Sequence, residues 1–256
     1  MHLAMNASLA TGYKSKSQIA RIVTEGWAVR NLFCCACVAE SVSQSLANTR
    51  AIDFSCGDCG AAYQLKGGTS WVQRIPDAGY EAMIAAIRSD NVPSLLVMQY
   101  TNQWYVRNLL LVPSFFFTEA AIQKRKPLGP NARRAGWVGC NIDLTAIAPE
   151  GKIPIVSEGV AVDPVAVRQR VAEVKPLANL EVGLRGWALN VLKFVRQLRR
   201  SRFELADIYR FEEELKAIYP NNRNVRAKIR QQLQVLRDLG FLEFLGSGAY
   251  LVRPTV

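Results

Sequence analysis

The sequence predicts an α+β protein whose texture changes near residue 180, and three observations carry that prediction. Five of the six cysteines lie between Cys34 and Cys59, as two C-x-x-C pairs beside short runs of strand character. The segments SLLVMQY at 94–100 and QWYVRNLLLV at 103–112 are apolar runs of strand length. Beyond residue 180, apolar residues recur at helical spacing in three successive segments, and two apolar runs then flank Gly246-Ser247-Gly248.

The totals narrow the class of partner. The chain has 256 residues, half of them apolar, which is enough for a substantial core and argues against disorder. With 32 Lys and Arg against 21 Asp and Glu the net charge is +11, and such an excess favours polyanions: nucleic acid or an acidic membrane surface. The most apolar runs fall well short of the roughly 20 residues that a spanning helix needs. The opening MHLAMNASLATGYKSKS has neither the charged start nor the continuous apolar stretch of an export signal, so a cytoplasmic protein is expected. In a reducing compartment clustered cysteines point to metal ligation rather than disulfides.

Taken in order, residues 16–33 place Ile19, Ile22, Val23, Trp27, Val29 and Leu32 near helical spacing. Two short strands, 51–54 and 62–66, are expected around a Cys56-Gly-Asp-Cys59 turn. A second helix is expected in PDAGYEAMIAAIRSD, with Pro76 and Asp77 opening its first turn and Met83, Ile84 and Ile87 inside. After the two apolar strands, QKRKPLGPNARRAGW at 123–137 reads as a basic surface loop, and NIDL and KIPIVSEG as short strands. Pro164 and Pro176 interrupt the helical pattern around VAVRQRVAEV. Residues 1–180 then form one domain and 181–256 a second. The second holds helices over 187–199, 205–219 and 225–239 and a hairpin in FLEFLGSGAYLV, the pattern of a winged helix.

Cys34-x-x-Cys37 and Cys56-x-x-Cys59 are separated by 18 residues, within the range of a four-thiolate zinc site. Four cysteines close the coordination shell, so the expected zinc is structural. Cys35 is left outside it, because C-x-C is a less usual knuckle than C-x-x-C, and Cys140 reads as a small core residue.

The same stretch, DFSCGDCGAAYQLK, carries a second pattern. Gln64 and Lys66 are two apart, so on a strand they share a face and can look across a hairpin at Asp53. Metal-dependent nucleases of the PD-(D/E)xK type use an Asp and a Glu-x-Lys in this way: acids for Mg²⁺ or Mn²⁺, and a lysine for the attacking water. A solvated Asp and a surface Lys are the plain alternative. Gln64 brings an oxygen but no charge, and hard cations are held mainly by carboxylates, so metal affinity should fall unless another acid compensates. Glu25 is the nearest candidate by sequence, and Gln64→Glu is expected to raise activity at low metal.

Residues 181–256 hold 14 Lys and Arg against 8 Asp and Glu, more than half of the net charge. Arg226, Lys228, Arg230, Gln231, Gln232 and Gln234 surround the apolar face of the last helix, where Arg suits guanine and Gln suits adenine in a major groove. In the basic loop Arg133 and Arg134 suit phosphates, and Trp137 packs either against a base or methyl group or into the core.

Several strings carry a resemblance: YKSKSQIARIVTEGW at 13–27, the paired knuckles, GYEAMIAAIRSDNVP at 79–93, QKRKPLGPNARRAGWVGCNIDL at 123–144 and KIRQQLQVLRD at 228–238. Over nearly its whole length the chain resembles the DpnI family of methyl-directed restriction endonucleases. The resemblance implies a PD-(D/E)xK domain with an embedded zinc site, a C-terminal winged helix, and cleavage of double-stranded DNA at GATC carrying adenine methylation. It matches Asp53 to the family's metal-binding acid and Lys66 to its catalytic lysine, sets Gln64 where a Glu is expected, and places Trp137 near the methyl-sensing part. It also implies that both domains read the methylated sequence; since each methyl contributes only about 0.8 kcal/mol of burial, strong discrimination needs several contacts or a site used twice, and fully methylated duplex is expected to outcompete hemimethylated. A monomer with no small-molecule substrate is expected; a methylation-dependent DNA-binding protein with a weakened nuclease site is the alternative, motivated by Gln64.

Overall fold

The computed structural model describes residues 1–46, 49 and 51–254. The first domain begins with α1 (Lys16–Asn31), which buries Val23, Trp27 and Ala28 and anchors the start of the chain through Trp27 Nε1 donating to His2 O at 2.7 Å. The short strands β1 (Ser43–Gln44) and β2 (Phe54–Ser55) follow, then β3 (Ala62–Gly68), β4 (Arg74–Gly79), α2 (Tyr80–Arg88), β5 (Ser94–Tyr100) and β6 (Val106–Val112). Next come β7 (Ile122–Lys124), β8 (Gly139–Asp143), β9 (Ile153–Ser157), β10 (Val160–Ala161) and α3 (Pro164–Val174).

Seven of these strands form one sheet in the order β1-β2-β3-β5-β6-β9-β10. β3 and β5 run parallel, so the chain must cross over between them, and β4 with α2 makes that crossing. Leu95 to Met98 on β5 are all buried, which explains why this strand reads as a continuous apolar run rather than an alternating one. A second sheet, β4-β8-β7, is antiparallel.

Two proline expectations are corrected. Pro76 and Asp77 do not open a helix: they lie on β4, an edge strand where a proline removes no needed ladder bond, and Gly79 caps α2. Pro164 does not interrupt a helix either. It is the first residue of α3, where its missing N–H costs nothing, and Asp163 caps the turn by accepting from Val165 N at 2.8 Å. The strand expected over 51–54 starts only at Phe54, since Ala51 has φ +56°.

The second domain comprises α4 (Val182–Gln197), β11 (Arg202–Glu204), α5 (Leu205–Tyr209), α6 (Glu212–Ile218), α7 (Val225–Asp238), β12 (Leu242–Gly246) and β13 (Ala249–Val252). The middle helix is therefore broken in two, at Phe211, which stacks on Phe194 of α4 with ring centroids 4.6 Å apart. β11 joins the expected hairpin in the order β11-β13-β12, completing a winged helix. Two ion pairs tie α4 to the first domain: Arg185 with Asp90 and Arg196 with Glu150. Among the described residues no helix is long and apolar enough to cross a membrane.

Candidate metal centres and nucleic-acid interface

The cysteine cluster forms where the end of α1 meets the β2–β3 turn. The sulfurs of Cys34, Cys37, Cys56 and Cys59 all lie within 4.8 Å of one another, with Cys34–Cys59 and Cys37–Cys56 at 3.6 Å. A tetrahedron of 2.3 Å zinc–sulfur bonds has edges of about 3.8 Å, so four soft donors at these separations fit zinc. Cys35 points elsewhere, towards Phe33 O, and its burial pushes the thiol well above its ordinary range. Burial also pushes the Cys34 thiol up, but hydrogen bonds from Tyr63 and the Ala36 amide outweigh it and bring it down to about 7. Arg168 of α3 braces the first knuckle, donating to Cys34 O at 3.1 Å and Ala39 O at 2.9 Å.

A second centre lies where β2 and β3 part. Their register ends at Phe54↔Tyr63, with Asp53 N still donating to Tyr63 O at 2.9 Å; the next free amide on β3, Leu65 N, is taken by Asp53 Oδ2 at 2.7 Å. The acid therefore sits at the fork, beside the backbone that links Gln64 to Lys66. A cleft of about 380 Å³ lies over β3 and β5, walled by Arg21, Thr24 and Glu25 of α1 and by Trp71, Ile75 and Pro76, with Lys66 in its lining.

The faces of β3 divide the surrounding acids. A Cβ on Gly67 would meet Thr24 at 3.4 Å, so odd positions face α1 and even positions face β4. Gln64 and Lys66 do share a face, and what they meet there is Asp77: Lys66 Nζ lies 2.7 Å and Gln64 Nε2 3.1 Å from the same oxygen, Oδ1. The Asp77 side chain is only 4 % exposed. Its charge is felt by buried Cys140, whose thiol is pushed up to about 11 by burial and by Asp77, against a smaller opposing effect of Lys66. Glu25, the acid expected to compensate for Gln64, is instead paired with Arg21 at 2.6 Å and accepts from Gln44 Nε2 at 3.0 Å. Sequence reading missed Asp77 because a Pro-Asp pair before a helical run imitates a helix start.

Cys140 is fully buried, as expected of a core residue, with its thiol donating to Ala78 O at 3.3 Å. In the loop between β7 and β8, Arg133 and Arg134 are exposed and Trp137 is half-buried. The indole packs against Gly79 and Gly139, so close that a Cβ on Gly139 would come within 2.7 Å of it, and the Arg134 guanidinium covers the ring at 4.7 Å. The expectation of a core tryptophan therefore holds only in part.

On α7 the expected polar residues separate into groups. Arg226, Arg230, Gln231 and Gln234 are exposed. Tyr209 and Glu212 organise the two arginines: Glu212 pairs with Arg226 at 2.6 Å and the Tyr209 hydroxyl accepts from Arg230 at 2.8 Å. Lys228 is half-buried and turned towards α4, 6.0 Å from the Trp187 ring. Gln232 is corrected: it is fully buried, because it falls three residues after Ile229 and four before Leu236 on the inward stripe, and it does not present itself to a groove.

A family model described as the Dam-replacing family, DpnI, matches residues 1–180, and a second, the Dam-replacing HTH domain, matches residues 183–251. The first alone spans well over half of the chain. The second match, to a helix-turn-helix domain, covers the helices and hairpin of the C-terminal winged helix. The chain belongs to the DpnI family of restriction endonucleases.

Proposed function

We propose that this chain is a divalent-metal-dependent endonuclease that hydrolyses double-stranded DNA at GATC sites carrying adenine methylation. The observation that supports it best is the fork: Asp53 Oδ2 accepts the Leu65 amide, between Gln64 and Lys66 on β3, and Lys66 lines an adjoining cleft. A carboxylate and an amide carbonyl are hard oxygen donors, which fits Mg²⁺ or Mn²⁺ held by Asp53 and Gln64. When bound, such an ion supplies charge neutralisation at the scissile phosphate and a more acidic water.

Lys66 orients the attacking water and stabilises charge gathering on the phosphate, its ammonium held in place by Asp77. Zinc in the Cys34, Cys37, Cys56, Cys59 site is structural, since all four positions are filled by protein. Arg133, Arg134 and Trp137 engage the duplex from the first domain, and Arg226, Arg230, Gln231 and Gln234 from the winged helix. The enzyme acts as a cytoplasmic monomer.

Incubation with plasmid from adenine-methylating and non-methylating hosts, with Mg²⁺ or Mn²⁺, tests this reading. Cutting of the methylated plasmid alone supports it. Methylation-dependent retardation without cutting supports instead a binding protein whose nuclease site is weakened, and indifference to methylation overturns both.

A further inference from the structure

We infer that Asp77 is a positioning residue matched to the amide at position 64, so that Gln64 is not a damaged metal ligand but one half of a Gln64–Asp77 pair. The inference deepens the nuclease reading and rests on it. A carboxylate only accepts hydrogen bonds, so the 3.1 Å contact from Gln64 Nε2 to Asp77 Oδ1 fixes which end of the amide faces Asp77 and turns the carbonyl oxygen away from it. The amide is thereby presented as an oxygen donor in one orientation, without the freedom to offer its NH₂ group to a cation.

The same Asp77 oxygen holds the Lys66 ammonium at 2.7 Å. One buried acid on β4 thus sets both functional side chains of β3, across the gap between two sheets. Lys66 pairs with Asp77, and a carboxylate at position 64 would lose the Nε2 donor and bring two acceptor-only groups into contact around one ammonium. Restoring a carboxylate by Gln64→Glu is therefore harmful while Asp77 remains, the reverse of what the sequence alone suggests.

The test compares wild type with Asp77→Ala, Gln64→Glu and the exchange variant Gln64→Glu/Asp77→Asn, in which the amide moved to position 77 again offers a donor to the carboxylate moved to position 64. Residues that orient metal ligands typically contribute about 10- to 100-fold to activity. Asp77→Ala and Gln64→Glu are expected to lose that much in kcat on methylated plasmid with KM for DNA unchanged, and the exchange variant to recover at least about tenfold over Gln64→Glu. Separately, in metal-free and DNA-free protein, the Gln64 side-chain amide signals in ¹H–¹⁵N spectra, assigned by their loss in Gln64→Glu, are expected to move towards those of solvent-exposed glutamines in Asp77→Ala. Zinc content and thermal melting of each variant report whether it has folded. Amide signals that do not move, a Gln64→Glu enzyme as active as wild type, or an exchange variant no better than Gln64→Glu would overturn the pairing. Wild type that cuts no DNA while the amide signals shift as expected defeats the nuclease reading and leaves the Gln64–Asp77 orientation standing.

Discussion

Tyr63 Oη lies 3.3 Å from Cys34 Sγ and accepts the Cys35 amide at 3.0 Å, so the residue immediately before Gln64 joins Arg168 in bracing the thiolate cluster. On β3 the two candidate centres are neighbours in the chain and opposite in face: Tyr63 looks towards the cysteines, Gln64 and Lys66 towards Asp77. Tyr63→Phe leaves the buried Cys35 N–H without its acceptor, which costs about 1–3 kcal/mol. A lowered melting temperature and weaker zinc retention against a chromophoric chelator are expected, and a variant that melts and holds zinc like wild type speaks against the bracing role.

Metal analysis tests the ligand set. Serine at Cys37 or Cys56 is expected to lose zinc and melt at a lower temperature, because three thiolates leave the tetrahedron open. Serine at Cys35 is expected to keep the full zinc content, since its sulfur lies outside the cluster. Zinc loss from the Cys35 variant equal to that of the others contradicts the assignment.

Lys66→Ala is expected to lower the cleavage rate about 10²–10⁴-fold, the usual range for a group that handles a proton or a developing charge. Gel-shift affinity for methylated duplex should be unchanged, because Lys66 lies in the cleft and the expected base-reading residues are on α7. An equal loss of binding and cleavage would assign Lys66 to DNA attachment instead.

Arg230 and Gln232 should behave as opposites although both lie on α7. Arg230→Ala is expected to weaken DNA binding by about 1–3 kcal/mol without changing stability. Gln232 Oε1 is buried with no hydrogen-bond partner in the described structure, so Gln232→Met, similar in shape and free of the unpaired oxygen, is expected to raise stability by about 1 kcal/mol and leave binding unchanged. Denaturant melts and gel shifts of the two variants separate these effects.

The contact between domains is sensitive to one arginine. Glu150 has a fully buried side chain paired with Arg196, which also donates to Arg253 O at 3.0 Å. Arg196→Met strands that carboxylate, a change that typically costs about 3–5 kcal/mol. Urea unfolding is expected to shift by this order, and the double variant Arg196→Met/Glu150→Leu to recover most of it.

Features set by short-range spacing were legible in the sequence: the four cysteines, α1, the apolar strands, and the three-helix and hairpin order of the second domain. That Gln64 and Lys66 share a face was legible because strand alternation puts 64 and 66 together. Asp77 was not, since its meeting with Lys66 depends on how β4, in a different sheet, lies over β3, and nothing in the local pattern encodes that. Gln232 was misplaced for a related reason. Its residue type resembles its exposed neighbours, and only the phase of the helical stripe turns it inward.

The parting of β2 from β3 has a cost that Asp53 also meets. Among the described residues no strand continues along the edge of β3 past Tyr63, and an unpaired strand edge is a template on which a second molecule can add its own strand and begin to aggregate. A carboxylate bound to Leu65 N occupies the first open amide and brings a charge that an incoming backbone has to bury. The acid proposed for chemistry in this way also guards the strand edge.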